Sequence, residues 1–183
     1  MPGKAVIILA PGYEELEAVA VIDILRRAGV DIKIASLEPG PVPSARDVKI
    51  VPDVLLDDVR DHEFDLIILP GGIDSTETLA ANDTVLSMLR RQMENKRYIG
   101  AICAAPTVLD RHGLSADMTI VCHPVCRNAV KQSRLGDERV VQDGTIITSQ
   151  GPGTALEFAM RLVEVLEGRA KMEEVNKGVL ARL

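Results

Sequence analysis

Apolar runs of strand length recur along the chain, at Ala5–Ala10, Ile32–Ser36, Leu66–Leu69, Tyr98–Ile102, Thr119–Val121 and Thr145–Thr148. Several lack the apolar/polar alternation of a half-exposed strand. Continuous Val, Ile and Leu runs suit strands covered on both faces, which means a mostly parallel sheet between helices. The intervening segments carry the helical period. Ala155, Phe158, Ala159, Leu162, Val163 and Leu166 fall at i, i+3, i+4, i+7, i+8 and i+11, and Gly168 stands where a glycine stops a helix. Val85, Leu86, Leu89 and Met93 mark a second helix, and Glu14 to Ala28 a third with Gly29 as its stop. Residues 169–183 read as an extra C-terminal helix with Met172, Val175 and Val179 on one side. Strands and helices alternating in this way predict a three-layer α/β sandwich.

No repeat, low-complexity tract or linker interrupts the 183 residues, so residues 1–183 are expected to form one domain. The Pro-rich stretch Glu38–Ser44 reads as a surface loop. With no tryptophan and 2% aromatic residues, the core must be aliphatic. A net charge of −6 with so few aromatics offers neither the basic footprint nor the stacking platforms of a general nucleic-acid binder. At 46% hydrophobic residues the chain is not of disordered composition. No apolar run matches a secretory signal or a membrane span, so a reducing cytoplasmic setting is expected. Three cysteines, an odd number, argue against a disulfide framework.

Open α/β sheets place their sites at the carboxyl ends of strands. Three such ends carry glycine-rich or polar turns: Pro11–Glu17, Pro70–Asp74 and Cys103–Pro106. The last follows the strand Tyr98–Ile102 and leads into a helical pattern. This is the layout of a nucleophile elbow, with Gly100, Ala104 and Ala105 small enough to let the turn close. A helix N-terminus favours an anion, so the Cys103 thiolate would be stabilised there, with the Ala104 N–H as an oxyanion donor. The plainer alternative is a free cysteine packed at a strand end. Glu14, Glu15 and Glu17 compensate a helix dipole if they are solvated. Glu17, flanked by Leu16 and Ala18, could instead face inward. Against Cys103 it would share one proton with the thiol.

His123 ends another strand and is either structural or a proton carrier. Cys122, His123 and Cys126 supply at most three metal ligands where a structural zinc needs four, so the two cysteines are read as free thiols and no metal is expected. Gly71 and Gly72 let a backbone approach a ligand and offer N–H groups to an oxyanion, or simply make a tight turn. Gly151-Pro152-Gly153 reads as a turn before a helix cap at Thr154. Neither a Walker loop nor G-x-G-x-x-G is present, so no nucleotide cofactor is expected.

Taken in order, these segments resemble the ThiJ/PfpI superfamily, in its Parkinson-disease-protein (DJ-one) branch. The resemblance runs through Val6–Ala10 with Pro11-Gly12-Tyr13-Glu14-Glu15-Leu16-Glu17, Leu25-Arg26-Arg27-Ala28-Gly29 and Ser44-Ala45-Arg46-Asp47-Val48. It continues in Leu69-Pro70-Gly71-Gly72, Ala101–Thr107, His123-Pro124 and Thr148–Thr154. It implies a flavodoxin-like fold and a homodimer. It makes Cys103 an easily oxidised nucleophile, Glu17 its hydrogen-bond partner and His123 its neighbour. Gly71, Gly72 and Ala104 then line the oxyanion side, and Arg46 stands near the site at the dimer interface. The implied activity is a cofactor-free glyoxalase or deglycase acting on 2-oxoaldehydes and early adducts of amines and thiols. The alternatives are a redox sensor with chaperone (holdase) activity, and a scaffold whose cysteine is incidental.

Three departures matter. Ser44-Ala45 and Val51 stand where some members carry further cysteines, so redox behaviour tied to those thiols should be missing. Gln150 replaces a common arginine, which touches a surface contact. Ala104 stands where protease-type members have histidine, which makes peptide hydrolysis a poor expectation.

Overall fold

The first strand, β1 (Lys4–Leu9), is buried along all but its first residue. Its side chains divide between two layers. Ala5, Ile7 and Leu9 pack with α1 (Glu15–Arg27) and α6 (Ala155–Glu167). Val6, Ile8 and Ala10 pack with α3 (Ile73–Ala80), α4 (Asp83–Glu94) and α5 (Pro106–Arg111). A strand covered on both faces needs an apolar residue at every position, which is why the run is continuous. Each fully buried Ile or Leu contributes roughly 2 kcal/mol of transfer free energy.

A computed structural model describes residues 2–182. The remaining strands are β2 (Asp31–Ser36), β3 (Val42–Pro43), β4 (Lys49–Ile50), β5 (Val54–Leu55), β6 (Leu66–Leu69), β7 (Tyr98–Ile102), β8 (Thr119–Ile120), β9 (Arg134–Leu135), β10 (Val140–Asp143) and β11 (Ile146–Ser149). A short α2 (Leu56–Val59) follows β5, and α7 (Arg169–Val179) ends the chain's helices. Seven strands form the central sheet in the order β10-β11-β7-β6-β1-β2-β5. All neighbours are parallel except β10 and β11. The α/β class and the parallel sheet expected from the apolar runs are therefore observed.

The chain first moves from β1 to β2 and β5, then returns to β6 and β7 on the other side of β1. The strand order thus reverses between β1 and β6, and the carboxyl ends of β1, β6 and β7 open onto one crevice, where open α/β sheets bind ligands. Helix ends follow local chemistry. The Asn82 side chain accepts the Val85 N–H at the start of α4. Gly168, at φ 86°, closes α6 as the sequence predicts.

Three expectations need correction. Thr119–Val121 yields β8 only over Thr119–Ile120, and it pairs with β9 in a separate two-stranded sheet. The terminal helix stops at Val179, because Leu180 turns left-handed at φ 60°; Leu183 lies outside the described residues. Pro70–Asp74 is more than a turn, since α3 begins at Ile73. Among the described residues no helix is long and apolar enough to cross a membrane.

Candidate active site

Cys103 follows β7 directly and takes φ 66°, a left-handed conformation that costs an L-residue roughly 1–2 kcal/mol. The turn is held from both sides. Its N–H donates to the Ser149 carbonyl of β11 at 3.0 Å, and its carbonyl accepts the His123 N–H at 2.8 Å. Thr107 Oγ1 donates to the Ala104 carbonyl at 2.7 Å. Pro106 then opens α5, where its missing N–H is no loss. This is the strained elbow that the sequence predicts, made by a backbone whose cost its surroundings meet.

Glu17 lies in the first turn of α1 and is wholly buried. Its Oε2 accepts the Gly71 N–H at 2.7 Å, while Oε1 has no hydrogen-bond partner. Gly71 explains how acid and thiol meet. A Cβ there would stand 2.5 Å from Cys103 Cβ, 2.7 Å from Glu17 Oε2 and 3.1 Å from Cys103 Sγ. Any side chain would fill the space the two groups share. Gly72 is constrained differently, since its φ is 96° and a Cβ would fall 2.1 Å from the Gly12 carbonyl oxygen.

Burial pushes the Glu17 carboxyl up to about 7, with the Gly71 N–H and the Cys103 contact opposing. Burial also raises the Cys103 thiol, and a charged Glu17 raises it further; the N–H groups of Ala104 and Gly72 pull the other way. Two anions cannot share this site, so the pair keeps one proton. With the proton on Glu17, the coulombic cause of the thiol's rise disappears. The protonated carboxyl then stands beside the thiolate as a donor, and the N–H groups of Ala104 and Gly72 face the sulfur. The net direction for the thiol is upward, against the stabilised thiolate expected at a helix N-terminus, because burial and Glu17 outweigh the two backbone N–H groups that oppose them.

His123 caps a 3₁₀ turn, Pro124–Ala129, and its Nδ1 accepts the Val125 N–H at 3.3 Å. Its Cδ2 and Cys103 Sγ lie 3.2 and 4.0 Å from the point where a Gly151 Cβ would stand, so that glycine leaves room for both at the cleft. Among the described residues no hydrogen bond joins them. Arg46 donates to Glu14 Oε2 at 2.6 Å. Both line a cleft of about 370 Å³ with Gly72, Asp74, Cys103, His123 and Cys126. Ala104 and Glu17 sit behind the thiol, buried. A cleft of similar size, about 350 Å³, is lined by Arg139, Val140, Glu157, Met160, Arg161, Glu164 and Met172 and holds no nucleophile.

The structure therefore brings Cys103, Glu17, Gly71, Gly72, Ala104 and His123 together at the carboxyl end of the sheet, with Arg46 lining the same cleft. Sequence reasoning missed Glu14 as the partner of Arg46, and Ser149 and Gly151 as supports of the elbow. Their only signal was position at strand ends. Gln150 donates to the carbonyls of Asp137 and Glu138 at 3.1 and 2.9 Å, a surface contact away from the thiol.

A thiol on a strained turn at the carboxyl edge of a parallel sheet, pressed against a buried carboxyl group, defines a cysteine-centred α/β protein. Comparison with known proteins makes the class specific. The chain belongs to the DJ-1/PfpI family, which matches residues 3–165. It is 42% identical over 183 residues to protein dj-1beta of Drosophila melanogaster, covering 98% of each chain. It is 40% identical over 177 residues to a Caenorhabditis elegans protein named glutathione-independent glyoxalase DJR-1.2, covering 95% and 94%. The crystal structure of Drosophila melanogaster DJ-1beta superimposes with a TM-score of 0.98 at 41% identity, covering 100% of both chains. Oxidized DJ-1 of Toxoplasma gondii superimposes at 0.95 with 33% identity, covering 99% and 100%.

Proposed function

We propose that this protein is a glyoxalase that uses no bound cofactor, with Cys103 as nucleophile. The observation that carries the reading is the buried Glu17 carboxyl set against Cys103 across Gly71, with the thiol lining an open cleft. Cys103 Sγ attacks the aldehyde carbon of a 2-oxoaldehyde. A C–S bond forms, the carbonyl π bond breaks, and the oxygen is met by the Gly72 and Ala104 N–H groups and takes a proton. Glu17, once deprotonated, takes the hydrogen from the former aldehyde carbon while the ketone oxygen is protonated, giving an enediol. Glu17 returns the hydrogen to the former ketone carbon as the hydroxyl on the sulfur-bearing carbon gives up its proton and becomes a carbonyl, with His123 assisting at the cleft wall. The product is a thioester of a 2-hydroxy acid. Water cleaves it, releasing the acid and restoring the thiol. Methylglyoxal plus water thus gives lactate, an internal redox exchange with no external oxidant. The same attack on an early adduct of an amine or thiol would free the glycated partner.

The relative named as a glyoxalase supports this reading. The test is lactate formation from methylglyoxal. Cys103→Ser should lose essentially all turnover, and Glu17→Gln about a hundredfold or more in kcat, the usual scale for a lost acid–base group. A Cys103→Ser protein that keeps most of the wild-type rate would overturn the proposal.

A second reading, a redox sensor with holdase activity, is favoured by one contrast. Cys103 is the half-exposed cysteine, whereas Cys122 and Cys126 are buried. The oxidized state named for the Toxoplasma relative accords with it. Both readings include a homodimer. Leu16, Val19, Val48 and Leu156 stand exposed together around one shallow apolar face close to the cleft.

A further inference from the structure

The proposed chemistry uses one of three cysteines, and none is disulfide-bonded. Cys122 is 1% exposed and Cys126 9%. Their positions differ in a way that matters. Cys126 lines the cleft that holds Cys103, and Cys122 does not. Two backbone hydrogen bonds tie the pair together. The His123 N–H donates to the Cys103 carbonyl at 2.8 Å, and the Cys126 N–H donates to the His123 carbonyl at 2.8 Å. Cys126 rides on the short 3₁₀ segment Pro124–Ala129, whose hydrogen-bond geometry is weaker than that of an α-helix. Val125, its neighbour, is exposed to solvent.

We propose that Cys126 is the resolving thiol for oxidised Cys103. Cys103 Sγ attacks hydrogen peroxide; an S–O bond forms, the O–O bond breaks, and water leaves, giving a sulfenic acid. Cys126 Sγ then attacks that sulfur. The S–S bond forms, the S–O bond breaks, and the hydroxyl leaves as water with the proton of the Cys126 thiol. One peroxide has oxidised two thiols to a disulfide, and a dithiol reductant restores both. Without the second thiol, another peroxide drives Cys103 on to sulfinic acid, which such a reductant does not reverse. None of this depends on aldehyde turnover.

The experiment is peptide mapping of the native protein after one equivalent of hydrogen peroxide and alkylation of the remaining thiols. A Cys103–Cys126 cross-linked peptide is expected, lost on adding dithiothreitol. Cys122→Ala should leave it intact. Cys126→Ala should yield no cross-link and several-fold more sulfinate on Cys103, unaffected by dithiothreitol. Sulfinate on Cys103 of the wild-type protein with Cys126 still alkylated would overturn the proposal. So would a cross-link to Cys122, or equal sulfinate yields with and without Cys126. These readouts are masses, so loss of glyoxalase activity would sink the proposed function and leave this inference standing or falling on its own.

Discussion

Glu17 carries the sharpest single-residue consequence. Its carboxyl is ordinary in the unfolded chain, at 4.5, and about 7 in the fold, raised first by burial. Between those values the folded protein binds more protons than the unfolded one, so stability falls as pH rises through that window and levels off above it. The full effect is on the order of 3 kcal/mol. Glu17→Gln removes the titration while its amide can still accept from Gly71 and donate to the sulfur. Denaturant unfolding at pH 5 and pH 8 should therefore show the variant gaining on the wild type by up to that amount at the higher pH. Parallel pH profiles for the two proteins would contradict the buried, proton-holding carboxyl. The residue scale also shows where sequence reading stops. Glu14, Glu15 and Glu17 share one helix start, and only the packing of α1 against the sheet decides that Glu17 goes fully inside.

At the scale of elements, the site is made where three turns meet, and the turns are as constrained as the catalytic groups. Gly72→Ala would set a Cβ 2.1 Å from the Gly12 oxygen at a φ of 96°. It should cost roughly 3 kcal/mol or more, as strain and clash combine. Gly153→Ala meets open space and no unusual φ, and should change stability by less than about 1 kcal/mol. Thermal unfolding of the two variants tests the contrast, and a small shift for Gly72→Ala would show that the β6 turn is free to relax. Fully buried strands were legible because both faces demand apolar residues. The segments β6 and β7 coincide with the apolar runs Leu66–Leu69 and Tyr98–Ile102. The edge strands β5 and β10, half-buried, carry no such signal. Strand β8 had the apolar signature yet pairs outside the main sheet, because a local run says nothing of its partner.

For the whole molecule, the apolar face of Leu16, Val19, Val48 and Leu156 is where a second copy is expected. Leu16→Glu places a charge at its centre. Sedimentation should show the wild type as a dimer and the variant shifted toward monomer by roughly tenfold or more in dissociation constant, the scale of burying a charge without a partner. A wild-type monomer at micromolar concentration would remove this part of the reading.

The order of residues determined what each segment could do alone. Continuous aliphatic runs specified buried parallel strands. The 3.6-residue period specified helices, and a cysteine between a strand and small residues specified an elbow. These are short-range matters, settled by side-chain size and polarity within a few residues. Tertiary structure decided which segments meet. Glu17 and Cys103 are distant in sequence, and only the reversal of strand order between β1 and β6 brings them together across Gly71. Proton sharing depends on distance and dehydration, and both arise only once the chain has closed around the pair.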